Sequence, residues 1–265
     1  MKVLDHGYCN LVESWGSDER IIEAARMSTD KGFQGWGGEC PGCKLSPVAG
    51  SVWQKMSIDD GMGTEVMCPS CKGSGTVVGD EKLLSYLWRN NHHTPFEMAG
   101  LTVEIQAPIF VVREWHRHRT QSYNELSGRY TQLPDLYYIP SIERLMAGKQ
   151  STKNKQSSEA GFTEAQANDL QRMMELATQD SRNRYERLLT EGVSRELARL
   201  VIPCNQFTRF RASANLRNWL AFLSLRLDPA AQWEIRQYAT AVEAILQGAF
   251  PRTMALFNES RADRG

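Results

Sequence analysis

Residues 113–130 read Arg113-Glu-Trp-His-Arg-His-Arg-Thr-Gln-Ser-Tyr-Asn-Glu-Leu-Ser-Gly-Arg-Tyr130, and no other stretch of the chain carries as much chemistry. Four Arg, two His, two Glu and two Ser fall within these 18 residues. A second basic cluster follows: Arg195, Arg199, Arg209, Arg211, Arg217 and Arg226, with Glu196 the sole acid among them. A guanidinium is a planar fork that matches carboxylate or phosphate, and it is costly to bury without an anion. Ten such groups beside polar segments point to phosphate-bearing ligands. His92, His93, His116 and His118 read as hydrogen-bonding groups beside these cations rather than as metal ligands.

The Arg bias runs through the whole chain. Of 31 basic residues, 22 are Arg and 9 are Lys, and no Lys lies from Leu83 to Gly148 or from Gln156 onward. Since 31 acids balance them, the net charge is zero. That argues against a dedicated coater of nucleic acid, whose affinity rests on excess positive charge. A composition 41% hydrophobic and 23% charged over 265 residues is that of a globular protein with a sizeable core. The longest apolar run, Ala107 to Val112, is broken by Pro108 and falls far short of the roughly 20 residues of a membrane span. The start, Met1-Lys-Val-Leu-Asp5, has no apolar signal core, so a cytoplasmic location is expected.

Outward from the central stretch, the pattern predicts more helix than strand. Leu101 to Gln106 alternates as a half-buried strand that Pro108 ends, and Ile109 to His116 begins a short helix. Upstream, Ser17 caps a helix to Met27, and Asp80 caps another with Leu83, Leu84, Leu87 and Trp88 on one face. Downstream, Thr163 to Thr190 reads as a long helix with Leu170, Met173, Met174, Leu176 and Ala177 inward. Ser194 to Ile202 is a short helix stopped by Pro203, and Asn215 to Leu227 and Ala230 to Gln247 are amphipathic helices. Lys149 to Ser158 reads as a mobile loop, and no internal repeat is visible. The class is α+β.

From Asp30 to Gly79 the texture changes: glycine is dense and the apolar period vanishes. Cys40-Pro-Gly-Cys43 and Cys68-Pro-Ser-Cys71 each make a tight knuckle there. Two thiolates of one knuckle can take adjacent corners of a tetrahedron, and two knuckles close a four-sulfur site suited to structural zinc. The residues between the knuckles are too polar and glycine-rich for a core, so metal binding would drive folding. Gly73-Ser-Gly-Thr-Val-Val-Gly79 has the wrong spacing for a dinucleotide loop.

Arg117-His118-Arg119, then seven residues, then Ser127, resembles the RHR-x7-S signature of the flavin-dependent thymidylate synthases, the ThyX family. The same family is resembled by His92-x-Thr94-Pro-Phe-Glu97, Ala107-Pro-Ile-Phe110, Asn215-x-Arg217, Phe222-Leu-x-Leu-Arg226 and Ala231-Gln-Trp-Glu-Ile235, in the same order. The resemblance covers about residues 1–30 and 80–258. It implies one ThyX-like domain over 1–265, helix-rich around a central antiparallel or mixed sheet, with 31–79 as a zinc-ribbon-like insertion.

Such enzymes make dTMP from dUMP with methylenetetrahydrofolate as carbon donor and NADPH-reduced FAD as hydride donor, and are homotetramers with intersubunit active sites. By resemblance, Thr94 contacts FAD, and Arg117, His118 and Arg119 lie between FAD and nucleotide. Glu125, Leu126, Ser127, Gly128 and Arg129 form the loop around the dUMP phosphate, with Glu125 also near the cofactor. Arg199 reaches the nucleotide, Asn215 and Arg217 face the flavin, and Arg226 sits at the pyrimidine ring as the catalytic group. Cys204, in Pro203-Cys204-Asn205, lacks a following His to act as base and reads as a buried structural thiol. Two departures stand out: Glu114 occupies the family's usual Gln position beside the nucleotide, and Ala221 replaces a flavin-contacting Asn or His. They leave open a dUMP or dCMP hydroxymethylase on the same scaffold. A non-catalytic, nucleic-acid-binding zinc-ribbon protein is a further rival.

Overall fold

The computed structural model describes residues 1–263 apart from 41, 42, 44, 45, 47, 49, 50, 56–62, 70, 78 and 152–157. In chain order the elements are strands β1 (Lys2–Val3) and β2 (Gly7–Trp15), helix α1 (Asp18–Arg26), and the short strands β3 (Gly38–Glu39), β4 (Ser51–Lys55), β5 (Gly63–Met67) and β6 (Thr76–Val77). Next come α2 (Glu81–Arg89), β7 (Gly100–Pro108), α3 (Ile109–Trp115), β8 (Ser122–Glu125), α4 (Ile142–Met146), β9 (Lys149–Gln150) and β10 (Ser158–Glu159). The rest is α5 (Glu164–Thr190), α6 (Arg195–Ala198), β11 (Phe207–Asn215), α7 (Leu216–Arg226), α8 (Trp233–Ala249) and α9 (Pro251–Ala262). Contacts group the chain into two compact units, Met1–Trp15 with Ala99–Gly265, and Gly16–Met98. Among the described residues no helix is long and apolar enough to cross a membrane.

The first unit is built on a sheet in the order β1-β2-β7-β11-β8, and every pairing is antiparallel. The predicted strand at 101–106 is its centre. Leu101, Val103, Ile105 and Ala107 are fully buried on one face, while Thr102, Glu104 and Gln106 on the other stay partly open. β11 runs beside it from Phe207 opposite Pro108 to Asn215 opposite Gly100, and repeats the alternation with Phe210 and Ala212 inward and Arg209 and Arg211 outward. Helices α7 and α8 cover the apolar face through Trp219, Phe222, Ile235, Tyr238 and Val242, all at 0% exposure. Trp219 Nε1 donates to Leu101 O at 3.0 Å and the Tyr238 hydroxyl to Gln106 O at 2.7 Å, so the two large polar-tipped side chains are satisfied inside the core.

α5 departs from the expected packing. Met173 and Leu176 are each 62% exposed, and the face turned to the body is carried by Ala167, Gln171, Thr178 and Tyr185. Hydrogen bonds anchor that face: Gln171 Nε2 donates to Pro140 O at 2.8 Å, and Asn205 Nδ2 to Thr178 Oγ1 at 3.0 Å. Of the residues expected inward, Leu170 is half-buried and Met173, Met174, Leu176 and Ala177 are exposed, so apolarity mostly marked the wrong stripe. The ends of the predicted loop, Lys149–Gln150 and Ser158–Glu159, pair as short antiparallel strands; its residues 152–157 lie outside the described set.

The second unit holds α1, α2 and the cysteine segment. Ser17 caps α1, accepting from Arg20 N. Asp80 stands at the start of α2 but makes no side-chain cap. Its carboxylate is 1% exposed, takes Nε and NH2 of Arg26, and accepts Gln34 N at 2.8 Å. A buried carboxylate needs a cation more than a helix end needs its oxygen. Inside the segment, β4 pairs with β5 and β3 with β6, framing the cysteines. Gly73 at φ +83 and Gly75 at φ +71 turn the chain after the second knuckle, a left-handed path that favours glycine.

Candidate active site

The Arg113–Tyr130 stretch is fixed by what precedes and follows it. Trp115 ends α3 at 0% exposure within an aromatic cluster, its ring centroid 4.6 Å from Phe222, 5.4 Å from Phe210 and 6.4 Å from Trp219. Its Nε1 donates to Gln121 Oε1 at 3.0 Å. The turn from His116 to Thr120 is held between these two anchors. The Tyr123 hydroxyl donates to His118 O at 2.8 Å, and burial pushes that phenol up to about 12. At the base of α7, Asn215 accepts from Asn218 N at 3.0 Å as its helix cap, and Asn218 Nδ2 donates to Thr120 O at 3.2 Å. So the start of α7, with Asn215 and Arg217, is tied to the turn carrying Arg117, His118 and Arg119.

The end of α7 reaches the same turn. Arg226 Nε donates to His118 Nε2 at 2.8 Å, its NH2 to Glu114 O at 3.3 Å, and its NH1 to Glu114 Oε1. The Arg226 side chain is 15% exposed and that of Glu114 24%. Burial, with the Arg226 charge beside it, pulls His118 down to about 4. His118 is therefore a neutral imidazole whose Nε2 accepts. Arg117 and Arg119 are exposed and, among the described residues, meet no carboxylate within 4.0 Å.

The loop after β8 forms a second grouping. Strand β8 is hung on β11, with Glu125 opposite Phe210, and Leu126 N continues the ladder to Arg209 O at 2.8 Å. A turn follows, with Tyr130 N donating to Ser127 O at 3.0 Å and Arg129 N to Ser127 Oγ at 3.3 Å. Gly128 is buried under Arg199, whose Cδ would lie 3.5 Å from a Cβ at that position. Arg129 Nε lies 3.5 Å from Glu196 Oε1, both side chains more than half exposed. Glu125 accepts from Thr208 Oγ1 at 2.7 Å. Beside it Glu104, Asn124, Glu125, Leu126, Arg209 and Arg211 border a cavity of about 300 Å³. Ser127, Gly128, Arg129 and Arg199 are thus together, as are Glu114, His118 and Arg226. Cys204, expected to be buried, is exposed, because Pro203 starts a surface turn in which Gln206 N bonds back to Pro203 O.

In the second unit, Thr94 borders a cavity of about 640 Å³ with Ala24, Ala25, Leu87, His92 and Met98. The four cysteines converge as well. Cys40 and Cys68 sulfurs are 3.7 Å apart, as are Cys43 and Cys71, and all four lie within 4.8 Å of one another. Four sulfurs about 2.3 Å from a central zinc have edges of ~3.8 Å, so the set fits a tetrahedral ion. All four are buried, with Val52 packed against them. Burial and the Cys68 sulfur raise the Cys71 thiol, but the Gly75 backbone and the Cys43 and Cys40 sulfurs outweigh them and the net shift is downward, toward the metal-binding thiolate.

Sequence reasoning missed the roles of the residues that hold this arrangement: Tyr123, Asn218 and Thr120 in the first unit, and in the second Arg26 with Asp80, which the sequence marks only as a helix cap. Tyr123 and Thr120 stand inside the decisive stretch, and that proximity was the available signal. Asn218 and Arg26 act over more than 50 residues of sequence and gave none.

The family described as "Thymidylate synthase complementing protein" matches residues 10–252. A flavin-dependent thymidylate synthase of Thermotoga neapolitana is 40% identical over 255 residues, covering 96% of this chain and 92% of its own. One from Thermus thermophilus is 38% identical over 257 residues, 97% of this chain and 77% of its own. Among solved structures, a UMP/dUMP methylase PolB from Streptomyces cacaoi, bound with 5-Br dUMP, superposes with a TM-score of 0.72 at 28% identity, covering 98% of this chain and 97% of that one.

Proposed function

The chain belongs to the flavin-dependent thymidylate synthase family, and from that premise we propose that it converts dUMP to dTMP through the residues assembled around Arg226 and Ser127. Methylenetetrahydrofolate supplies the carbon, and FAD, reduced by NADPH, supplies the hydride when bound. The observation that carries the reading is the meeting of Arg226 with His118 of the signature segment, 108 residues apart in sequence. In this reading residues 1–265 form one cytoplasmic catalytic domain, with 31–79 inserted in it.

Carbon 5 of uracil is a poor nucleophile. A guanidinium against N3 and O2 of the ring favours the ionised, enolate-like form and raises its nucleophilicity. Support for this role comes from the Arg226 side chain being only 15% exposed, where a charge acts more strongly than in water. Ser127, Arg129 and Arg199 hold the phosphate, Glu114, Arg117, Glu125, Leu126 and Gly128 surround the nucleotide, and no side chain attacks the ring. Thr94, Arg117, His118, Arg119, Glu125, Asn215 and Arg217 bind FAD. Support for Thr94 comes from its cavity, whose apolar floor of Ala24, Ala25 and Leu87 and polar rim of Asn91, His92 and Thr94 suit a planar heterocycle with polar edges.

The active form is a homotetramer in this reading. The exposed Met173 and Leu176 on α5, with Leu197 and Leu200 exposed at 57% and 76%, support self-association. Cys40, Cys43, Cys68 and Cys71 hold one structural zinc, supported by the sulfur spacing.

The test is mass analysis of the nucleotide product from purified enzyme given dUMP, methylenetetrahydrofolate and NADPH. dTMP is the expected product. A hydroxymethyl product, or turnover of dCMP in place of dUMP, would overturn the assignment in favour of the hydroxymethylase.

A further inference from the structure

Glu114 stands where a substrate-contacting residue was expected, yet one carboxylate oxygen and its main-chain carbonyl are engaged within the chain. One carboxylate oxygen takes Arg226 NH1, and its own carbonyl oxygen takes NH2 at 3.3 Å. Arg226 Nε goes to His118 Nε2 at 2.8 Å. A guanidinium has five N–H groups. Three are spent on this frame, and among the described residues two have no partner and remain for a ligand. The frame is rigid at both ends. Glu114 lies on the last turn of α3, locked by buried Trp115, and Arg226 is the last residue of α7, locked by buried Phe222 and Leu223. The negative end of α3 adds its own attraction for the cation.

We propose that Glu114 is a positioning residue for the reaction: it acts on the nucleotide through Arg226, setting the direction of the two free N–H groups and compensating the guanidinium charge. The inference rests on the reading of the chain as a thymidylate synthase with Arg226 at the pyrimidine. Glu114 and Arg226 together carry no net charge. A Gln at 114 would keep the shape and the acceptor oxygen but leave the cluster with one uncompensated positive charge. Departure from the family's usual Gln therefore alters the electrostatics at the ring more than it alters the geometry. His118 completes the frame as a neutral acceptor, with its own proton on Nδ1.

The test is a double-mutant cycle with Glu114→Ala, Glu114→Gln and Arg226→Ala, read by kcat, by the KM for dUMP, and by imidazole nitrogen NMR of His118. Loss of a charge-assisted contact is expected to lower kcat about tenfold or more in Glu114→Ala, with the KM for dUMP moving less. Glu114→Gln is expected to recover part of that loss. In the Arg226→Ala background Glu114→Ala is expected to cost nothing further, because residues that act as one unit are non-additive. The His118 signal should shift in Glu114→Ala while remaining that of a folded protein. Additive losses across the cycle, or an unmoved His118 signal, would overturn the proposal. If the native enzyme makes no dTMP while the His118 signal still responds to Glu114→Ala, the functional reading fails and the coupling stands.

Discussion

Arg226 Nε donates to His118 Nε2 at 2.8 Å, and this one bond joins the end of α7 to the signature turn. It requires the imidazole to accept on Nε2 and so to be neutral at that nitrogen. Burial and the neighbouring guanidinium keep it neutral, lowering His118 to about 4 from its ordinary 6.5. The linkage has a definite sign. Between pH 6.5 and 4 an unfolded chain takes up a proton that the folded state refuses, so stability falls as pH falls through that window. Thermal midpoints measured from about pH 7.5 to 4 should show the decline, and it should flatten in His118→Gln. NMR titration of His118 near its ordinary value would contradict the assignment.

If Cys40, Cys43, Cys68 and Cys71 hold zinc as proposed, removal of the metal should unfold the insertion. Among the described residues the buried cluster there is the four cysteines with Val52 packed against them, framed by short strands, which is too small a core to stand alone. Metal analysis of protein purified without chelator should find close to one zinc per chain. Cys40→Ser should abolish it and lower the thermal midpoint. An ordered insertion in metal-free protein would sink the claim.

The ion pair between buried Asp80, which follows the 31–79 segment, and half-buried Arg26 ties the start of α2 to α1. Arg26→Ala leaves the Asp80 charge buried and uncompensated, at a cost of about 3–5 kcal/mol. Asp80→Ala leaves a cation that solvent reaches and should cost less, and the double variant should cost less than the two single losses summed. Denaturant unfolding of the three variants reads this directly.

Arg129 and Arg199 should serve binding. They flank the Ser127 turn from two elements, and Arg129 makes a loose, exposed contact to Glu196 that a phosphate can replace. Loss of a charge-assisted contact, worth roughly 1.5–3 kcal/mol, should raise the dUMP requirement in Arg129→Ala. Unchanged dUMP affinity would refute the role.

Some of this architecture was written plainly in the residues. The alternation at Leu101–Gln106 marked the central strand, the two knuckles marked the cysteine site, and Asn215 marked the start of α7. Other parts were hidden for identifiable reasons. β2 was missed because a bulge between Leu11 and Glu13 breaks its period, leaving Leu11 47% and Val12 43% exposed. α9 was missed because its buried face is little more than Thr253, Met254 and Phe257. The inner face of α5 misled because polar anchors, Gln171 and Thr178, took the place of apolar ones. In the site, composition pointed to anion binding, but the roles of single arginines came from the resemblance. The partnership of Glu114 with Arg226, spanning 112 residues, was open to neither.

The final prediction separates two sources of catalytic power. Pro203-Cys204-Asn205 imitates a nucleophile motif, and Cys204 is exposed, so access does not forbid attack on a substrate. What it lacks is activation. A thiol needs a neighbouring base or cation to become a competent thiolate, and Asn205 directs its amide elsewhere, donating to Tyr138 O and Thr178 Oγ1, each at 3.0 Å. Arg226, by contrast, is held through three N–H groups, and among the described residues its other two donors have no partner. Charge stabilisation of the ionised ring needs only such a preorganised donor pair. In an assay of tritium release from carbon 5 of dUMP, Cys204→Ala should retain most activity and Arg226→Ala should lose nearly all of it. The reverse pattern would replace this mechanism with covalent catalysis by the thiol.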